Sequence, residues 1–139
     1  MKNLANCNPS EFLKQTSRIR KATEKWLDYT GVLNIRKNLP EYESITVDMS
    51  DDEIDAIQKE NKKRREEQMR KNLSAMLDAI MDEHPEETLE LLALLCFVEP
   101  KDVDNHTVSE YLEAITEMIN NQAVKGFFTS LARLGQTNI

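Results

Sequence analysis

The chain has 139 residues, 40% of them hydrophobic and 31% charged, and its net charge at pH 7 is −7. A single domain of this size buries a core without disulfides or metals, since about 68–70% of the unfolded chain's surface is removed from water at roughly 150 residues. The acidic excess argues against general nucleic-acid binding, which needs Lys and Arg to neutralise phosphates. Only three glycines and four prolines interrupt the chain, so helix is predicted throughout.

The first predicted helix occupies most of residues 1–30. Asn8 is suited to cap it, Pro9 to take its first position, and Glu11 to reach back to the cap backbone. Apolar residues then recur near helical spacing at Phe12, Ile19, Ala22 and Trp26. Gly31 ends the helix, and residues 31–49 are predicted to be a loose connector in which Ser44–Val47 is either extended or paired as a small edge strand.

A second helix is predicted to begin after Ser50, which is suited to cap it. Acidic residues follow the cap, where the positive end of the helix dipole stabilises negative charge. The pattern allows one long helix to about Glu83. Its middle, residues 58–71, is almost devoid of apolar side chains, so we expect solvent on all sides of it. The pattern leaves open a break near Asn61 or Asn72.

The predicted helical body spans residues 50–139. After the long central helix it contains three shorter predicted helices. The first, residues 86–98, follows Pro85 and is apolar almost all round, which predicts burial on most sides. A capping box at Thr107 starts the next, and Gly135 is placed to cap the last. The predicted fold is therefore all-α: one unit of 139 residues, a compact bundle of about five helices with a long charged central helix.

Residues capable of catalysis or metal binding lack the required spacing. His84 and His106 show neither the i,i+4 pairing of a zinc helix nor a nearby thiolate. The acidic residues between Asp48 and Asp55 lack the glycine and distant glutamate of a calcium loop, so capping explains them better. The basic run Lys62–Arg65 is flanked by glutamates and is interpreted as a solvated helix face. No enzyme activity, cofactor or metal is expected.

The chain also lacks features of secretion or membrane insertion. Cys7 and Cys96 form no C-x-x-C pair, and the N-terminus lacks the order of a secretory signal, which predicts a cytoplasmic protein. The longest apolar run, around Leu91–Val98, is well short of the roughly 20 residues that cross a bilayer. We expect neither membrane nor nucleic-acid partners.

Large apolar side chains in the first and last helices are the candidates for protein binding. Core packing is one interpretation, because any docked amphipathic helix needs such a stripe. The other is that part of the stripe serves a partner, since adjacent phenylalanines point about 100° apart on a helix. The candidate partner-binding residues are Trp26, Phe127, Phe128, Leu131 and Leu134.

Five stretches near the two ends of the chain share a pattern with a known protein family. They are Asn6–Thr16, Arg18–Lys21, Leu91–Pro100, Glu110–Leu112 and Gly126–Gly135. In these stretches the chain resembles the small helical tail assembly chaperones of long-tailed bacteriophages, of the siphophage type. The charged middle has no counterpart in this resemblance.

The resemblance implies a protein made in the cytoplasm of the infected bacterium and absent from the mature virion. Such a protein binds the tape measure protein, keeps it soluble and helps to bring tail tube protein to it. The family offers no motif of binding residues that can be transferred position by position. The candidate contact residues therefore rest on the apolar stripes alone.

The sequence is compatible with two other functions. One is an acidic helical adaptor or inhibitor of a host or phage protein, with carboxylates in place of phosphates. The other is a subunit of a self-assembling ring or fibre, because residues 1–40 carry a net charge of +5 and residues 73–139 a net charge of −9. Self-association is expected on the same grounds.

Overall fold

The computed structural model describes residues 1–136, and the protein is all-α, as predicted. Helices account for 77% of it, and the described residues contain no strand. Five described helices have seven residues or more, and the central helical run is 33 residues long. None of the helices within residues 1–136 combines the length and apolar character that a bilayer crossing requires.

The helices follow one another with short connections, apart from the segment between the second and third. The central helix α3 continues without a break through one π-helical turn, Ala79–Glu83, and a 3-10 segment, Pro100–Asn105, precedes α5. The α-helices are α1 (Pro9–Thr30), α2 (Val32–Arg36), α3 (Asp51–Asp78), α4 (Pro85–Leu95), α5 (Val108–Asn120) and α6 (Gln122–Gln136).

Local capping explains where three of these helices begin, at the predicted residues. At α1 the Glu11 amide donates to Asn8 Oδ1 at 2.9 Å, and the Asn8 amide donates back to Glu11 Oε1 at 3.3 Å. Ser50 accepts from the Glu53 amide at the start of α3. Thr107 caps α5 in the same way. Each cap satisfies a backbone donor that has no partner inside its helix.

Helix ends differ more from the sequence-based prediction. Gly31 ends α1 with φ of 64°, as expected. Gly135, however, lies inside α6 and does not cap it, because glycine permits the left-handed conformation without requiring it. Instead Phe97 is left-handed, with φ of 57°, and ends α4 at Leu95, three residues before the predicted end.

The described chain divides into two compact units, 1–26 with 86–136 and 27–85. In the first unit, α4 and α5 meet around Cys96, Tyr111 and Ala114, and Tyr111 donates its hydroxyl to the Val103 carbonyl at 2.6 Å. Burial of α4 is one-sided: Ala93 and Leu94 are buried, whereas other α4 side chains are partly accessible.

The second unit consists of the end of α1, the connector and α3. The predicted loose connector contains the short helix α2, and Ser44–Val47 forms no strand. The middle of α3 is not solvated on all sides, contrary to our expectation, because the connector lies against it. Asn61 donates to the Glu43 carbonyl at 3.0 Å, and the Arg64 guanidinium donates to the Glu41 carbonyl at 3.0 Å. Polar side chains of α3 thus hold the backbone of the connector in place. Apolar periodicity in the sequence could not predict these contacts.

Candidate functional site

The residues before α1 form a tight turn that presents Leu4 to the rest of the first unit. Asn3 Oδ1 accepts from the Ala5 amide at 2.7 Å, and Asn6 Oδ1 accepts from the Asn3 amide at 2.8 Å. These side chains accept hydrogen bonds from backbone amides that lie outside any helix and so have no intrahelical acceptor. Leu4 is consequently buried, with 6% of its surface exposed.

Three phenylalanine rings join α6 to α1. The Phe12 and Phe127 rings meet edge to face, with centroids 5.0 Å apart and planes at 88°. Phe128 lies 6.3 Å from Phe12 and 5.4 Å from Phe127, measured between centroids. Edge-to-face and tilted pairs of this kind stabilise beyond the area that they bury.

Two open apolar clefts flank α6, and Leu4 and Val124 line both of them. The first has a volume of about 450 Å³ and the second about 490 Å³. We call α6 and these two clefts the α6 surface. Besides the two shared residues, Phe12, Leu13 and Phe127 line the first cleft, and Ile19, Leu95, Met118, Ile119 and Phe128 line the second.

The outer face of α6 remains accessible. Phe128 exposes 41% of its surface, Leu131 47% and Leu134 63%. These residues share one helical face, because they recur at intervals of three residues. A continuous exposed apolar patch of this kind is typical of an interaction site.

The charges on α6 differ in sign from those of the chain as a whole. α6 contains Lys125 and Arg133 and no acidic residue, whereas α5 contains Glu110, Glu113 and Glu117 and no basic residue. Lys125 lines the second cleft and forms no ion pair with any residue in 1–136. The α6 surface is therefore apolar with a basic edge.

The structure brings four of the five predicted contact residues together. Phe127 is half-buried in the ring cluster, and the other three α6 residues are exposed along the same helix. Of these four, only Phe127 and Phe128 line a cleft. Trp26 lies on α1, lines neither cleft, and its indole N–H donates to Thr88 Oγ1 at 2.9 Å. That bond joins α1 to α4, so Trp26 has a structural contact that its position on the α1 stripe did not reveal.

Sequence reasoning missed the cleft residues outside α6, notably Leu4, Leu13 and Ile119. Leu13 exposes 64% of its surface and Ile119 55%. Ile119 belongs to the apolar stripe of α5, which was visible in the sequence, but nothing in the sequence assigned it to a cleft with α6. Leu4 precedes every predicted helix and therefore lay outside the periodic patterns.

Titratable groups near the α6 surface are few. Cys7 lines the first cleft, and burial raises the pKa of its thiol. At the start of α5, the hydrogen bond from His106, at 2.8 Å, lowers the pKa of Glu110. No group of three potential metal ligands occurs in the described part of the chain. The arrangement is suited to binding apolar side chains.

No family model matches the chain, and neither a curated protein nor a solved structure is significantly similar to it.

Proposed function

We propose that this protein is a phage tail assembly chaperone that binds helical segments of the tape measure protein through the α6 surface. The observation that carries the proposal is the pair of apolar clefts on either side of α6. An amphipathic helix can place its apolar face in such a groove, with anchors at i, i+3, i+4 and i+7. A tape measure protein, as a long helical molecule, would offer many such faces.

The location of the resembling segments supports the same proposal. They supply residues 6–16 and 18–21 in and before α1, the last five of the eleven residues of α4 with the chain that follows it, Glu110–Leu112 in α5, and residues 126–135 of α6. All of them belong to the first unit, 1–26 with 86–136, whereas the unmatched charged middle belongs to the second. The segments that resemble the chaperones thus contribute Phe12, Phe127 and Phe128 to the α6 surface, whereas Leu4 and Val124, which line both clefts, lie outside them.

The chaperone would act by covering apolar helical faces of the tape measure protein during tail assembly. By occupying exposed stripes of the tape measure protein, the chaperone would prevent their aggregation until tail tube protein replaces it. Its net charge of −7 would keep the complex dispersed. This role places the protein in the cytoplasm of the infected bacterium and leaves it out of the finished virion, which mass spectrometry of purified virions would test.

Co-expression with the tape measure protein of the same genome tests the proposal. The full chain should raise the soluble fraction of the tape measure protein and co-purify with it. The double substitution Leu13→Asp/Ile119→Asp should abolish both effects, because it places one carboxylate in each cleft, at side chains that are 64% and 55% exposed. Circular dichroism of the isolated variant should show that helix content is retained.

The matched control changes two exposed apolar residues of the other unit. Leu39→Asp/Val47→Asp introduces the same charges at side chains that are 76% and 107% exposed, and it should leave co-purification unchanged. Failure of the wild-type chain to solubilise or bind the tape measure protein would contradict the proposal. Equal loss of binding in both double variants would contradict the assignment to the α6 surface.

One feature of α5 favours the adaptor or inhibitor as a second candidate. Glu110, Glu113 and Glu117 lie around one shallow depression of the first unit, together with Met1. Such a row of carboxylates would suit a basic protein partner. Glu113→Lys/Glu117→Lys distinguishes the candidates: it should abolish capture of a basic partner but leave binding of the tape measure protein intact.

A further inference from the structure

The C-terminal half of the central helix exposes a row of four large apolar side chains. Met69, Leu73, Leu77 and Met81 expose 63%, 56%, 40% and 62% of their surfaces. Residues four apart on an α-helix are separated by about 6 Å along the axis and rotate by only about 40°, so Met69, Leu73 and Leu77 form one ridge. Met81 lies in the π-helical turn and continues this ridge at the next turn. We call it the α3 ridge. It belongs to the second unit and is separate from the α6 surface.

The order of side chains along the ridge is palindromic. Read in either direction it is Met, Leu, Leu, Met, each four residues from the next. A second, antiparallel copy of the ridge would therefore place Leu73 beside Leu77 of the other copy and Met69 beside its Met81. Ridges with this spacing pack into the grooves of a facing helix.

One flank of the ridge is charged in a pattern that fits the same arrangement. Arg70, Asp78 and Asp82 each follow a ridge residue by one position, about 100° round the helix, so they share this flank. When two antiparallel helices face each other, equivalent flanks meet. Arg70 of each copy would then lie between the levels of Asp78 and Asp82 of the other. None of the three forms an ion pair within residues 1–136.

The other flank is already occupied by the chain itself. Asn72 is buried there, donates to the Asn38 carbonyl at 3.0 Å, and accepts from Gln68 at 2.9 Å. Parallel packing would bring the charged flank of one copy against this occupied flank of the other. The geometry therefore favours the antiparallel arrangement.

We propose that the α3 ridge is a self-docking surface, through which two copies of this chain pair antiparallel about the midpoint between Leu73 and Leu77. Burial of the four apolar residues supplies the attraction, and the Arg70 pairs with Asp78 and Asp82 set the direction and register. A symmetric contact of this kind closes after two copies.

Light scattering coupled to size-exclusion chromatography of the full chain tests the proposal. With rising concentration, the mass should approach twice the monomer's 16.1 kDa. Arg70→Glu and the double variant Asp78→Arg/Asp82→Arg should each be monomeric at concentrations at which the wild type is dimeric, because each places like charges opposite one another. An equimolar mixture of the two should recover the dimer mass, since their charges are then complementary.

A matched control and a covalent test complete the experiment. Lys63→Glu makes the same change in charge on α3 away from the ridge and should dimerise as the wild type does. In a Cys7→Ser background, Ser74→Cys should form an intermolecular disulfide under mild oxidation, because Ser74 lies on the charged flank beside the two-fold axis. Lys63→Cys should not.

A monomer at every concentration would overturn the proposal and leave the ridge to a partner of another kind. A mixture of the two charge-reversed variants that stays monomeric, while circular dichroism shows both variants to be as helical as the wild type, would overturn the assigned contact. Dimers without a Ser74→Cys disulfide would overturn the antiparallel geometry. Recovery of the dimer together with the disulfide would support both.

Discussion

At the scale of single residues, buried polar contacts and one unusual backbone conformation hold the first unit together. Gln15 is 5% exposed, and its side-chain amide donates to the Leu94 carbonyl at 2.6 Å, across 79 positions of sequence. This carbonyl lies in the last turn of α4, where intrahelical donors run out, and it also accepts a longer bond of 3.3 Å from the Phe97 amide. Three residues after Leu94, Phe97 has a left-handed φ that is costly for a bulky side chain, and the Lys2 ammonium lies 5.8 Å from its ring centroid.

Replacing the buried glutamine should destabilise the fold measurably. Gln15→Ala removes the donor to Leu94 and leaves a small cavity, so we expect the free energy of unfolding to fall by about 1–3 kcal/mol. Urea unfolding followed by circular dichroism measures it. Gln58→Ala, on the exposed surface of α3, should change stability by less than about 0.5 kcal/mol. Equal losses in the two variants would rule out a special role for the buried amide.

The two cysteines should differ sharply in reactivity. Burial raises the pKa of both thiols, that of Cys96 to about 11, but Cys7 is only partly buried and remains accessible. At pH 8 a thiol reagent should therefore modify Cys7 in the folded protein and Cys96 only after unfolding, because the thiolate is the reactive form. In the Cys7→Ser variant, rapid modification at pH 8 would contradict the burial of Cys96.

The same thiol should make stability depend on pH in the alkaline range. In the unfolded chain Cys96 ionises near its ordinary value of 9.0, while in the folded protein it stays protonated to about 11. The resulting stabilisation is present below pH 9 and is lost as the pH rises towards 11. Cys96→Ala should flatten this part of the stability profile, and an unchanged slope would refute the linkage.

At the scale of elements, the second unit joins irregular chain to a helix through side-chain amides. Asn61 on α3 accepts from the Glu43 amide at 2.9 Å and donates to the Glu43 carbonyl at 3.0 Å, so one side chain pairs both backbone groups of a residue 18 positions away. Arg64 adds an ion pair to the Glu43 carboxylate at 3.1 Å. The connector is therefore held by polar contacts where apolar burial is scarce.

Removing the pairing amide should loosen the connector without unfolding α3. In Asn61→Ala the Glu43 amide loses its partner, and its hydrogen exchange should accelerate by up to about tenfold, since one such bond contributes about 0.5–1.5 kcal/mol. Exchange measured by NMR or mass spectrometry reports the change. Lys63→Ala, two residues further along α3, serves as the control. If Glu43 exchanged at the wild-type rate in Asn61→Ala, the contact would be unimportant in solution.

At the scale of the whole molecule, exposed apolar side chains coexist with an acidic net charge. Leu131 and Leu134 in one unit and Met69 and Met81 in the other are among the large apolar residues that remain accessible. Repulsion between molecules that each carry −7 opposes indiscriminate contact between these surfaces. Protein partners can still bind where local charge is complementary, as at the basic edge of the α6 surface.

Aggregation should therefore depend on pH and on the α6 surface. As the pH approaches the isoelectric point of about 4.9, the net charge vanishes and turbidity should reach a maximum. The uncharged double substitution Leu131→Ser/Leu134→Ser should lower this maximum while leaving its pH unchanged. Turbidity scans from pH 7 to pH 4 measure both quantities. A maximum of unchanged height would mean that other surfaces cause the association.

Features set by neighbouring residues were predictable from the sequence. The sequence predicts the caps at Asn8, Ser50 and Thr107, because the hydrogen bonds that define them join residues three apart. Distant contacts were not predictable in this way. The partner of Trp26 lies 62 positions away. The sequence also did not reveal that Phe97 is left-handed or that Gly135 is helical.

The candidate site was predictable only in part. Periodicity identified Phe127, Phe128, Leu131 and Leu134 as one apolar group, but it could not tell that Phe127 packs on Phe12 while Leu134 stays accessible. The clefts themselves are formed by residues from the N-terminal turn, α1, α4, α5 and α6, which no local pattern connects.

The sequence by itself determined the all-α class, the main helices and most of their starting points, because helix propensity, capping and apolar periodicity act over a few residues. The tertiary structure alone decided which apolar faces are covered, where the connector lies against α3, and which side chains border the two clefts. Those outcomes depend on contacts between residues far apart in the chain, and the free energy of such contacts has no signature in local sequence.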